Sequence, residues 1–150
     1  YNMTDISATF GIWQLNRLND WYSKRKKYYN LYKTFFASID GVDSQENAFA
    51  DEIHAHHLFL IYINPKKWNI DRNELINKLN SNGVGTSVHY TPVHMHSYYR
   101  KKYGFEFEDF PQAYKFSKNV LSLPLYPALK RSEINYIIDT FENIWNEHKA

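Results

Sequence analysis

The sequence predicts an α/β (α+β) sandwich: one small, mostly antiparallel sheet packed by helices, with a long helix at the N-terminus. Three observations carry this reading. Apolar residues recur at helical spacing from Asp5 to about Ser38. Three short apolar runs, each closed by a proline, read as strands. Helical stretches alternate with those runs, giving helix, strand, helix, strand, helix, strand, helix.

The elements follow in order. Thr4 can cap a helix opening at Asp5, whose carboxylate suits the positive end of the helix dipole. Ile6, Phe10, Trp13, Leu18, Trp21, Tyr22, Tyr28, Tyr29, Tyr32 and Phe35 then continue as one helix. Ile12 and Leu15 lie off the Ile6–Phe10–Trp13 stripe, so this helix is apolar on more than one side and is expected to pair with other protein. Gly41 to Glu52 is polar and reads as a loop. His57 to Ile63, "HLFLIYI", reads as a buried strand ended by Pro65. Asp71 with Glu74 forms a capping-box pattern, Leu75, Ile76 and Leu79 make an apolar stripe, and Gly83 supplies the stop. Val84 to Tyr90 reads as a strand closed by Pro92, with Gly85 at a tight approach. Ser97 to Tyr103 is a short helix and Phe110 to Val120 a longer one. "LSLPLYP" is a strand with Leu121, Leu123 and Leu125 on one face, held to an edge or a bend by Pro124. Ser132 to Glu147 closes the chain as a helix with Ile134, Ile137, Ile138, Phe141, Ile144 and Trp145 inward. Residues 1–38 thus form a connecting helix and 53–150 the α/β core.

Composition narrows the function classes. At 150 residues the chain fits one domain, and a chain of this size hides roughly 70% of its unfolded surface. Apolar content of 43% and charge content of 23% are those of a water-exposed globular fold. The aromatic share of 18% is high and suits a chain that is largely core and contact surface. A net charge of +2 leaves no electrostatic footprint for nucleic acid or an anionic membrane. The basic run Lys24-Arg25-Lys26-Lys27 reads as a solvated helix face. No apolar run approaches the roughly 20 residues of a membrane span, no signal peptide is recognised, and without cysteine there is no thiolate metal site or disulfide. A cytoplasmic protein is expected, and the start at Tyr1 reads as a piece of a longer one.

Histidines cluster at His54, His56 and His57 and again at His89, His94 and His96. His54 and His56 could flank one residue on a strand face. Zinc wants three or four ligands in tetrahedral geometry, and no carboxylate partner accompanies them, so they read as the start of a buried strand and no metal is expected. No Walker pattern and no GxGxxG is present. The stretch "GTSVHYTPVH" (85–94) reads either as a binding loop, because loops at strand ends carry sites, or as an ordinary polar surface, because single histidines usually do not.

Three ordered stretches add to this. "YNMTDISATFGIWQL", "GVGTSVHYTPVHMHSYYRKKYG" and "VLSLPLYPAL" resemble signatures of the DegT/DnrJ/StrS family of sugar aminotransferases, spread over nearly the whole chain. The resemblance covers rather less than half of such an enzyme, its C-terminal small domain. It implies a fold-type-I, pyridoxal-phosphate-dependent homodimer that moves an amino group, usually from glutamate, onto a keto group of a nucleotide-linked sugar. It also implies that the cofactor lysine and the aspartate at the pyridine nitrogen belong to a large domain; no lysine here stands in the family's Ser-rich context. The 150 residues alone are therefore expected to be inactive and to bind no cofactor.

Residue by residue, the resemblance places His89 and Tyr90 at the family's His-Tyr pair, which lines the nucleotide-sugar pocket, and His94 at the following His of Pro-x-His. Tyr1 falls on the Tyr of the opening signature, so the Asn that reaches the cofactor phosphate precedes the chain. Asn2 falls where many members place an Arg or Lys that contacts the sugar. An amide lacks the bidentate, charge-assisted bond that Arg offers a carboxylate, which disfavours a uronic acid. A rival alignment makes Asn2 the phosphate ligand, at the cost of a two-residue deletion. A function of a different class also stands: a binding or regulatory module that reuses the small-domain fold without catalysis.

Overall fold

A computed structural model of the chain describes residues 2–46 and 53–150. Tyr1 and the latter part of the 41–52 loop lie outside the described residues. At the N-terminus the Thr4 hydroxyl accepts the Ser7 N–H at 3.3 Å, as the capping pattern requires. The expected single helix is two: α1 (Asp5–Leu15) and α2 (Leu18–Phe36). The break falls at Asn16–Arg17, where the Arg17 N–H shifts from the i−4 to the i−3 carbonyl, that of Gln14, at 3.1 Å. Asparagine competes with its own backbone for hydrogen bonds and is a poor helix-interior residue, and apolar spacing alone does not register it.

The sheet has the order β1-β2-β3, with β1 at Val42–Ser44, β2 at Phe59–Ile63 and β3 at Val120–Leu123. Both pairings are antiparallel: Val42 faces Ile63, and Phe59 faces Leu123. β1 corrects the reading of 41–52 as loop throughout. Three residues with one buried apolar side chain carry no visible period. What makes β1 possible is Gly41, at φ +79, whose carbonyl accepts the Asn64 N–H at 2.8 Å and the Trp68 indole N–H at 3.2 Å. A Cβ there would stand 2.5 Å from the Lys67 Cβ, so both backbone angle and space demand glycine.

The strand expected at 84–90 is extended chain joined to the sheet by one bridge, Ser87 to Ser122. Its two backbone bonds run 3.3 and 2.8 Å. The ladder goes no further on this edge of β3, whose four residues pair along their whole length only with β2. Gly85 is not at a tight approach: a side chain there would meet open space. β3 is also buried at all four positions, not on one face, and Leu125 follows after the strand has ended.

The core sits on one face of β2, where Phe59, Ile61 and Ile63 are fully enclosed. Tyr32 of α2 packs 4.9 Å from Phe59, ring to ring. Phe36 meets Phe141 edge-on at 4.7 Å, joining α2 to α6 (Arg131–His148). The Tyr32 hydroxyl donates to the Pro124 carbonyl at 3.1 Å, tying α2 to the end of β3. On the other face Tyr62 stacks on Phe116 of α5 (Pro111–Asn119). The expected capping box opens α3 (Arg72–Ser81): Asp71 accepts the Glu74 N–H at 2.9 Å and Glu74 the Asp71 N–H at 2.8 Å. α3 buries Leu75 and Leu79 and stops at Gly83, φ +72. α6 buries Ile134, Ile137, Phe141 and Ile144, while Ile138 and Trp145 are only half-buried. α4 (Ser97–Tyr103) follows the candidate loop. α1 buries nothing.

Candidate functional site

The single bridge at Ser87 fixes where the candidate loop begins. Two residues on, His89 is half-buried and its Nδ1 lies 3.0 Å from the Ser122 Oγ. Ser122 is on β3 and 5% exposed. Its hydroxyl also lies 3.2 Å from the Ser87 carbonyl, so it stands between that carbonyl and the imidazole. The contact pins the imidazole through Nδ1 and leaves Nε2 as the nitrogen turned toward a ligand. His89 is thus oriented by a serine that the strand buries.

Tyr90 follows across a cis peptide, with its ring 4.8 Å from that of His89 and edge-on to it. It is 75% exposed, which leaves the phenol open to donate or accept. Pro92 precedes a single 3-10 turn, Val93–Met95, that carries His94. His94 is 6% exposed and lies against Phe110 at 4.8 Å, its Nε2 shut away from solvent without a partner among the described residues. The three groups expected together in this loop thus divide: His89 and Tyr90 stand side by side at the surface, and His94 is folded under the turn. Asn2 is exposed ahead of α1, with no hydrogen bond among the described residues.

Ser87 and Ser122 are the site residues that sequence reading missed. The signal was present in "VLSLPL": a serine between leucines on a strand buried throughout needs a polar partner.

The other histidine cluster is arranged differently from the expectation. His54 and His56 precede β2 and do not flank a strand residue. His56 adopts a left-handed φ of 49, its N–H donates to His54 Nδ1 at 3.0 Å, and the two Nδ1 atoms stand 3.1 Å apart. Burial, then His54 and then Lys26, holds the His56 imidazole below its ordinary pKa. Among the described residues no group of three or more His, Cys, Asp or Glu could hold a metal.

A lysine that condenses with a carbonyl cofactor must be neutral, which needs burial or a neighbouring cation. The lysines here are exposed, apart from half-buried Lys78 on α3, and Lys24 and Lys67 pair with Asp20 and Asp40 at 2.9 and 3.0 Å. The arrangement presents hydrogen-bonding groups at an open surface that can bind and orient a polyhydroxylated ligand.

Comparison with known proteins bears on what that ligand is. The profile of the DegT/DnrJ/EryC1/StrS aminotransferase family matches residues 1–142. The spore coat polysaccharide biosynthesis protein SpsC of Bacillus subtilis (strain 168) is 38% identical over 144 residues, which are 95% of this chain and 37% of SpsC. Spr1654 of Streptococcus pneumoniae, assigned as a sugar aminotransferase, superposes with a TM-score of 0.87 at 31% identity in both its PLP- and PMP-forms; the match covers 97% of this chain and 36% of Spr1654. S. venezuelae DesV gives a TM-score of 0.85 at 27% identity, over 96% of this chain and 37% of DesV. The chain spans just over a third of the length of these relatives. Among the described residues no helix is long and apolar enough to cross a membrane.

Proposed function

The chain belongs to the DegT/DnrJ/EryC1/StrS aminotransferase family, and from that premise we propose that it is the C-terminal small domain of a pyridoxal-phosphate-dependent sugar aminotransferase. The whole enzyme transfers an amino group from an amino acid, glutamate being the expected donor, to a keto group of a nucleotide-linked sugar. Pyridoxal phosphate, when bound, supplies the electron sink for that exchange. The PLP- and PMP-forms of Spr1654 and the polysaccharide pathway of SpsC support this reading. The enzyme works in the cytoplasm as a homodimer, and the 150 residues by themselves are inactive because the cofactor lysine lies in the remainder of the enzyme.

The observation that carries the role of this domain is the Ser87–Ser122–His89 chain of hydrogen bonds beside an open Tyr90. Nε2 of His89 and the Tyr90 phenol hydrogen-bond hydroxyls of the same ligand. His94 holds the turn that carries them from beneath. Asn2 contributes a neutral amide, which suits a sugar without a carboxylate.

In the full-length enzyme His89→Ala and Tyr90→Phe are each expected to lower kcat/KM by about 1 to 3 kcal/mol in transition-state terms. The cofactor's absorbance is expected to be unchanged, since both groups face the sugar. Ser122→Ala, which removes the hydroxyl that orients the imidazole, gives a smaller loss of the same kind. Unaltered steady-state kinetics in both His89→Ala and Tyr90→Phe refute the assignment.

A further inference from the structure

A cleft of about 590 Å³ lies between the turn after α3, the loop after β3 and the start of α6, and neither His89 nor Tyr90 lines it. Buried Val84, Leu129 and Ile137 give it an apolar lining. Tyr126 and Tyr136 border it at 45% and 53% exposure, so each keeps ring surface open to a ligand. The Tyr136 hydroxyl donates to the Asn82 carbonyl at 2.9 Å, which holds that ring in place as a wall.

Gly85 borders the same cleft, and nothing in the fold requires a glycine there. Its φ is not left-handed, and a Cβ would meet no atom within 4 Å. Gly83 differs, since its φ of +72 stops α3. A glycine in extended chain that neither backbone angle nor packing demands marks a place where a ligand or another backbone comes close. A larger side chain at 85 would take up room in the cleft. The polar lining then narrows the chemistry. Glu133 accepts the Lys130 N–H through Oε2 at 2.6 Å, and its Oε1 takes no hydrogen bond among the described residues. That oxygen accepts from an N–H or O–H and repels an anion. Exposed Lys130 and Arg131, with the positive end of the α6 dipole, oppose a bare cation. An uncharged donor is what these opposed charges leave. Two open tyrosine rings suit an aromatic partner, stacked or edge-on. The volume falls within the range of ligand sites, about 300 to 1,000 Å³.

We infer that this cleft binds a small uncharged aromatic molecule carrying one N–H or O–H donor, the ring against Tyr126 and Tyr136 and the donor on the Glu133 carboxylate. Indole is the simplest molecule of that kind. The site is separate from the transfer reaction and does not depend on it.

The test is calorimetric titration of the full-length protein with indole, N-methylindole and uridine. No sugar or amino donor is present, so the outcome is independent of the transfer assignment. Saturable binding of indole is expected, with N-methylindole, which lacks the donor, about tenfold weaker. Gly85→Leu is expected to abolish indole binding while the cofactor's absorbance and the unfolding midpoint stay unchanged, because its Cβ enters open space. Tyr126→Ala is expected to cost about tenfold in affinity, and this exposed position keeps the test decisive if Gly85→Leu fails to fold. Glu133→Gln, which can still close the capping box, narrows the gap between indole and N-methylindole. The inference is overturned if indole does not bind saturably, or if folded Gly85→Leu and Tyr126→Ala both bind it as before. It is equally overturned if N-methylindole binds as tightly as indole, or if uridine binds more tightly, which assigns the cleft to the substrate instead.

Discussion

α1 and α2 come from one run of apolar residues at helical spacing, and they meet opposite fates. α2 buries Tyr29, Tyr32 and Phe36 against β2 and α6. α1 buries nothing: Ile6, Phe10 and Leu15 are each about two-thirds exposed or more. The difference is not apolar content. α2 is apolar along one stripe with charge elsewhere, and the chain supplies a sheet for that stripe. α1 is apolar around most of its circumference, and nothing within the described residues covers it. An all-round apolar helix is a helix made to be enclosed, and the chain spans only about 37% of a relative such as SpsC. The lesson is that periodicity reports where a face is, while its burial depends on whether the partner is in the same segment.

The largest expected effect that separates the two helices is on stability. Phe36→Ala removes a ring packed on Phe59, Phe35 and Phe141 and is expected to cost about 3 to 5 kcal/mol in denaturant unfolding. Phe10→Ala in α1 is expected to stay within about 0.5 kcal/mol, as surface changes do. Similar losses for the two would break the comparison. Next in size is association. The chain is expected to sediment as a dimer or larger at high micromolar concentration, and Ile12→Lys with Leu15→Lys to make it monomeric or insoluble. A clean monomer for the unmutated chain removes the proposed role of α1 in pairing.

The smallest effect concerns pH. Tyr22 and Tyr29 of α2 hold the buried His56, whereas α1 packs no histidine. Because the folded pKa of His56 is lowered, the unfolded chain binds its proton more readily. The stability contribution is therefore fully present above the unfolded value of about 6.5 and declines as pH falls below it. His56→Gln should flatten that decline, and an identical pH dependence with and without the imidazole would count against it.

Much of the scaffold was legible in the residues because local chemistry decides it. The Asp71–Glu74 box, the Thr4 cap and the Gly83 stop need only a few neighbours to be read, and all stand where the pattern put them. What escaped reading depends on contacts distant in sequence. β1 exists because Gly41 turns toward Asn64 and Trp68, and the stretch 84–90 meets β3 at the single Ser87–Ser122 bridge, a pairing across 35 residues of chain. The site divides the same way. His89 and Tyr90 could be picked out from their motif, but the serine that orients the imidazole is 33 residues away, and His94 is packed against Phe110.

The order of the sheet also has a consequence in time. β2, "FLIYI", is the central strand, yet one of its two neighbours, β3, is made close to sixty residues later. At a synthesis rate of roughly 5 to 20 residues per second, about 3 to 12 seconds pass before Val120–Leu123 can leave the ribosome and pair. Through that interval the most apolar strand of the domain has an open edge, the state in which strands pair with the wrong chain. Newly made chains are therefore most in need of protection between the completion of β2 and the arrival of β3.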